Sequence, residues 1–250
     1  MRALHAEFRK LVTTRTGLWL TIVSVVVSVL FTILISLNVD KTDSASDALQ
    51  TVMSVTSNFA YVFAAILGII GLTGEYRHQT VTPTFLSVPV RSGVIVAKLV
   101  CYLLWGVLMG VLNLVVAVAL GVPLLKHRIY ADVSLSASGV HSTMVSAIVI
   151  SAIFGIIGVG VGALVRNQAA AIVVLVLYLF LIENILSAIH AVQKVYTYLP
   201  GALASALTGS QGQPDGVHLL HRTPAALLLI AYGLAFALAG AVLTVRRDVT

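Results

Sequence analysis

Polar and apolar residues alternate along this chain on the scale of whole helices. Six runs of largely apolar residues recur: Gly17–Leu37, Val52–Thr73, Leu99–Val122, Val145–Val165, Ala169–Ile189 and Ala225–Val245. About 20 such residues span the ~30 Å hydrocarbon core of a bilayer as a helix, and a helix satisfies its own backbone there. The pattern predicts an all-α polytopic membrane protein, a single transmembrane domain over residues 1–250. The first run exceeds the apolar core of a secretory signal and lacks a small-residue cleavage site after it, so it reads as a retained span.

The segments between the runs differ in character. Within residues 1–16, Leu4, Phe8, Leu11 and Val12 share one helical face, with Arg2, Arg9 and Lys10 elsewhere. That periodicity predicts an amphipathic helix lying on the membrane surface. Residues 74–98 carry Glu75, Arg77, His78, Arg91 and Lys98 and two prolines, more than a connecting turn needs. A helix beginning at Gly74 would place Glu75 in its first turn, where the dipole favours a carboxylate. Pro83 and Pro89 would bend and then end it. Residues 123–144 read as a long mixed loop. The segment 191–223 contains "YLPGALASAL", apolar but too short to span, which reads as a re-entrant or interfacial helix.

Composition agrees with a bilayer as solvent: 59% of residues are hydrophobic and 10% charged, against roughly 25% charged in soluble domains. The net charge of +6 does not point to nucleic acid, because the cations are dispersed at the edges of apolar runs. With an even number of spans the termini share a side. One set of segments then holds ten cations (Arg2, Arg9, Lys10, Arg15, Arg77, Arg91, Lys98, Arg166, Arg246, Arg247) and the other five (Lys41, Lys126, Arg128, Lys194, Arg222). The positive-inside rule makes the chain N-in and C-in and puts residues 74–98 in the cytoplasm.

Catalytic motifs are missing from the sequence. It has no G-x-x-x-x-G-K-[ST] phosphate loop, no H-E-x-x-H and no G-x-S-x-G. His218 and His221 lack the further ligands a zinc site needs. One cysteine, Cys101, allows no internal disulfide. What remains is polar chemistry inside apolar helices. Thr21, Ser24, Ser28, Thr32 and Ser36 form one stripe, which can act as interhelical glue. Ser54, Ser57, Asn58 and Tyr61 form a second, readable as glue or as a substrate path. Glu183, Ser187, His190 and Lys194 fall near one face of the fifth run. An acid within a span costs at least ~2.5 kcal/mol to insert, so Glu183 is a candidate either for a structural pair with Lys194 or His190 or for a substrate path. Gly106 and Gly110, and Gly158, Gly160 and Gly162, mark close helix contacts.

Several blocks resemble a known family. "AEFRKLVTTRTGLWL", "LGIIGLTGEYRHQTVTPTFLSVPVRSGVIVAK", "GALVRNQAAAIVV" and "YLPGALASAL" are similar to the permeases of actinobacterial type-2 ABC exporters, with Gln79 standing where the family often has glycine. The resemblance implies a membrane subunit that pairs with a second permease subunit, as a homodimer or heterodimer, and with two ABC ATPase subunits. ATP and Mg would be held by those partners, so this chain needs no cofactor. It also implies that residues 74–98 contain a coupling helix. Glu75, Tyr76, Arg77 and Thr80 would begin it, and Pro89, Arg91 and Lys98 would mark the return to the membrane. The cargo would be amphipathic, a drug, lipid or peptide, and the site the bacterial cytoplasmic membrane. Two other readings stay open: a polytopic membrane enzyme using Glu183, His190 and His141, and a non-transporting immunity or sensor protein.

Overall fold

The computed structural model describes residues 2–39, 44–77, 91–128, 133–136, 139–165, 167–209 and 217–246. Every regular element among them is helical. The order is α1 (Arg2–Thr13), α2 (Arg15–Asn38), α3 (Ala45–Arg77), α4 (Arg91–Arg128), α5 (Val140–Val165), α6 (Gln168–Leu177), a π turn (Tyr178–Ile182), α7 (Glu183–Ala188), α8 (Gln193–Tyr196), α9 (Pro200–Thr208) and α10 (Arg222–Arg246). Six helical stretches are long and apolar enough to cross a membrane, with α6, the π turn and α7 counting as one. The chain is a polytopic membrane protein.

Two helices outrun their apolar cores. α3 has 33 residues and α4 has 38, about 50 and 57 Å at 1.5 Å per residue. α3 runs through Gly74 to Arg77 without a break, so no separate helix starts at Gly74 and Glu75 lies in a last turn, not a first. The glycine is accommodated inside an already propagating helix, where one added residue costs far less than a new nucleus. α4 likewise continues through Pro123 to Arg128, past the end at Val122 suggested by the apolar run.

α5 sits at the centre, and its glycines explain how. A methyl on Gly155 would meet the Tyr102 backbone of α4, and one on Gly158 would meet the Ala65 backbone of α3. One on Gly160 would meet Phe236 of α10. Three faces of one helix thus touch three neighbours at backbone distance. Gly106 and Gly110 on α4 approach α5 at Ser151 and Ile148 in the same way. Lipid gives helices no hydrophobic drive to associate, so this close van der Waals contact supplies it.

α2 shows the polarity expected of that solvent. Its buried residues are Gly17, Ser24, Ser28, Thr32 and Ser36, while Trp19, Val26 and Leu30 are more than half exposed. The small polar stripe faces the bundle and the large apolar side chains face outward. α7 and α10 also turn large apolar side chains outward, among them Ile185, Leu234 and Leu238.

The fifth span has a four-residue rhythm: Ala171, Leu175, Leu179, Glu183 and Ser187 are its buried positions. A regular helix of 3.6 residues per turn would carry a four-residue repeat steadily around its axis. The π turn at Tyr178–Ile182, closed by Glu183 N–H donating to Tyr178 C=O, widens the helix locally. It returns Glu183 and Ser187 to the inward face. The helix stops at Ala188, and Ile189 is extended.

Candidate functional site

Four charged side chains meet where α1 lies across the ends of α3 and α4. Lys98 Nζ donates to Glu7 Oε2 at 2.9 Å, to Glu75 Oε1 at 3.0 Å and to the Gly71 carbonyl at 3.1 Å. Lys10 Nζ donates to Glu7 Oε1 at 2.7 Å and to Glu75 Oε1 at 2.9 Å. Each charge touches two opposite charges, and the ring is neutral overall. The Lys98 side chain is 3% exposed and that of Glu7 5%, whereas Lys10 is 47% exposed.

Burial alone would raise the Glu7 pKa, but the Lys98 charge and the hydrogen bonds from Lys10 and Lys98 overcome it and hold the carboxyl below its ordinary range. Burial likewise opposes the charged form of Lys10, yet its bonds to Glu7 and Glu75 raise its pKa. Glu75 stands at the C-terminal end of α3, where the helix dipole disfavours an acid by roughly 0.3–1 kcal/mol. The two lysines offset that penalty. Breaking a buried pair costs about 3–5 kcal/mol, mostly from the charge left behind. The exposed Lys10 contacts are worth ~1 kcal/mol or less.

At the opposite end of the bundle, the short helix α9 is inserted among α3, α5 and α10, with Ala202, Leu203 and Ala204 fully buried. Both ends of it are satisfied by side chains from the spans. Gly201 N–H donates to Glu183 Oε1 at 3.0 Å, and Ala202 N–H and the Tyr178 hydroxyl also donate to that carboxylate. At the other terminus the Thr208 carbonyl accepts from Ser54 Oγ and Thr143 Oγ1, each at 3.1 Å. Gly209 closes the helix in the left-handed conformation, φ 67°, with its N–H donating to Ser205 C=O.

A third polar group lies mid-bundle. Asn113 of α4 accepts from Ser28 Oγ and donates to Ser24 Oγ at 3.1 Å and Met109 C=O at 2.8 Å. Trp105 Nε1–H donates to Thr21 Oγ1 at 3.1 Å. Further along the stripe, the buried hydroxyls of Thr32 and Ser36 have no hydrogen-bond partner among the described residues.

This arrangement is six spans, polar contacts buried between helices, and a charged ring at one end. It has the build of a permease, and the sequence comparison decides which kind. Residues 3–182 match the family model described as ABC-2 family transporter protein. The chain belongs to the ABC-2 transporter family. It is the membrane permease subunit of an ABC transporter, of a type that normally works with ABC ATPase partners. No curated protein matches the sequence. The match spans α1 through the π turn and ends one residue before Glu183.

The sequence-derived positions of this ABC-2 permease fall out unevenly. Glu75, Tyr76 and Arg77 form the last turn of α3, with Arg77 exposed. Thr80 and Pro89 lie outside the described residues, as do His78 and Pro83. Arg91 opens α4. Lys98 is an interior member of the charged ring, not an interfacial anchor in contact with water, because two carboxylates give it partners inside.

Ser54 and Ser57 are buried in structural bonds, Ser57 to Met53 C=O at 2.6 Å. Asn58 is half-buried. Tyr61 stacks on Phe154 with ring centroids 4.3 Å apart. His190 and Lys194 do not join Glu183: the helix ends at Ala188, and both are exposed beyond the break. Backbone N–H groups of α9 partner Glu183 instead of the pair with Lys194 or His190, one of its two readings.

Sequence reasoning missed Glu7, Lys10 and Asn113. The signals were present. Glu7 is the one acid in a basic leader, Lys98 is a cation beside an apolar run, and Asn113 is a lone amide inside a span. Each is costly in hydrocarbon unless partnered.

Proposed function

We propose that this ABC-2 permease is an exporter subunit of the bacterial cytoplasmic membrane, with both termini inside, moving an amphipathic drug, lipid or peptide outward. It acts with a second permease subunit and with separate ATPase subunits that hold ATP and Mg. Residues 74–98 dock on the ATPase. The observation that carries this reading is the family match together with the placement of that segment. It is carried between two overlong helices whose ends are tied by Glu75 and Lys98, on the side that collects ten cations against five.

Arg77 is exposed at the mouth of the segment and is suited to a contact with an acidic partner surface. Glu75 is occupied in the ring, so its part in docking is to fix the stem. The α9 end is then the outer end, where Glu183, Ser54 and Thr143 set the position of the re-entrant helix. Ser57, Asn58, Tyr61 and His190 remain candidates for the path or interface around it.

The experiment is affinity purification of the tagged chain from its native membrane. The expected result is co-purification of a soluble protein that hydrolyses ATP and carries a phosphate loop. A preparation that holds this chain and no ATPase would contradict the proposal. Impermeant thiol labelling fixes the orientation: cysteines at Asp43 and Asp215 react in intact cells, and one at Arg91 does not.

A further inference from the structure

The charged ring draws on three elements. Glu75 belongs to the end of α3 and Lys98 to the beginning of α4, the two stems that flank residues 78–90. Glu7 and Lys10 belong to α1. Apart from the ring, α1 is held to the bundle by Leu11 and by the Cys101 thiol, which donates to the Leu4 carbonyl. Leu11 is buried against Leu67, Leu72 and Trp105, whereas Leu4, Phe8 and Val12 are exposed. Beneath α1 lies Cys101, 2% exposed, with its thiol 3.8 Å from the Leu4 carbonyl.

We propose that Glu7 is a positioning residue for the docking segment, clasping α1 to both of its stems so that α1 moves only as they do. The inference rests on the docking reading and adds α1 to the moving unit. The physical ground is charge balance in a water-poor site. With all four groups present the ring is neutral. Removing Glu75 leaves Lys10 and Lys98 sharing Glu7, one positive charge in excess. Removing Glu7 leaves the same excess and severs α1 from Lys98 directly. An uncompensated buried charge draws in water, and water enters most readily at the exposed corner of the ring, which Lys10 of α1 forms. Displacing either stem therefore loosens a helix that lies far from it in sequence.

The chain contains its own probe, because Cys101 is its one cysteine. In lipid nanodiscs, the rate of Cys101 alkylation by N-ethylmaleimide and the deuterium uptake of amides 2–13 are measured for the native protein, Glu75→Gln and Glu7→Gln. Both variants leave Lys98 and Cys101 in place. The two rates should each rise at least about tenfold in both variants, as expected for an unbalanced buried charge, while α5 and α9 amides stay protected. Lys10→Met, at the exposed corner, should change them less than about threefold, and Lys98→Arg should stay near native.

Unchanged Cys101 and α1 rates in Glu75→Gln would overturn the inference. A uniform rise across α5 and α9 would overturn it too, since that reports general destabilisation. The docking reading fails on a different result, the absence of an ATPase from the purified assembly, which these rates do not depend on.

Discussion

Replacing Glu183 separates a helix pin from a spectator acid. Its carboxylate accepts from Gly201 N–H at 3.0 Å and from Ala202 N–H and the Tyr178 hydroxyl. Hydrogen bonds to a charged group are worth about 1.5–3 kcal/mol and neutral ones about 0.5–1.5. Glu183→Gln keeps one carbonyl acceptor of similar shape. It gives up the charge-assisted part of two backbone bonds and the dipole interaction of roughly 0.3–1 kcal/mol, partly offset by no longer burying a charge. The expected net loss is about 1–2 kcal/mol. Glu183→Leu removes every acceptor and orphans two N–H groups at about 1–3 kcal/mol each, for a loss of about 3–5 kcal/mol. Gly201→Ala approaches the same contact from the other side: its methyl would stand 2.8 Å from Glu183 Cδ, an overpacking of about 1–3 kcal/mol. Reversible unfolding in mixed micelles measures all three. Leu as stable as native, or Gln as damaging as Leu, would refute the pinning role.

Other outcomes follow from named contacts. Asn113→Leu should destabilise by about 1–3 kcal/mol, because it strands Ser24 and Ser28. Ser36→Ala, which removes a hydroxyl without a partner among the described residues, should be neutral or stabilising in the same unfolding assay. Gly158→Ala should cost several-fold more than a surface glycine change, since the added methyl would lie 2.7 Å from the Ala65 carbonyl carbon; thermal melting checks this. The charged ring also has an acid limit. A depressed Glu7 pKa means its contribution is complete above the ordinary value of 4.5 and is lost as pH falls through the lower folded value. The raised Lys10 pKa gives the opposite limit: its contribution is complete below 10.5 and lost as pH rises through the higher folded value. Protection of α1 amides should therefore hold across neutral pH and fail only as pH falls below the ordinary carboxylate value, through the lower folded value of Glu7.

Much of the fold was legible because the solvent is simple. In hydrocarbon, a run of apolar residues can do little except form a helix, so all six spans emerge from hydropathy. The glycine contacts were legible for the same reason: only small side chains let backbones approach. Helix ends were less so. Gly74 and Pro123 look like stops in isolation, yet α3 and α4 pass through them. The candidate sites were half legible. Glu183 announced itself by its cost in the membrane, but its partner did not. Backbone N–H groups at Gly201 carry no side-chain signature, and the break at Ile189 that removes His190 and Lys194 has none either. Glu7 and Lys98 were visible as single charges. That they meet depends on how α1 folds back across α4, 91 residues away in sequence.

Whether residues 74–98 couple this permease to an ATPase is read from ATP hydrolysis by the assembly purified through this chain, measured with and without a panel of amphipathic substrates, for the native permease and for Arg77→Glu. Arg77 is exposed at the end of α3 and lies outside the charged ring, so its reversal leaves the spans and the ring intact. Arg77→Glu should insert and fold normally but lose ATPase association or substrate-stimulated hydrolysis. Normal complex formation together with native stimulation in Arg77→Glu would contradict the assignment of residues 74–98 as the docking segment.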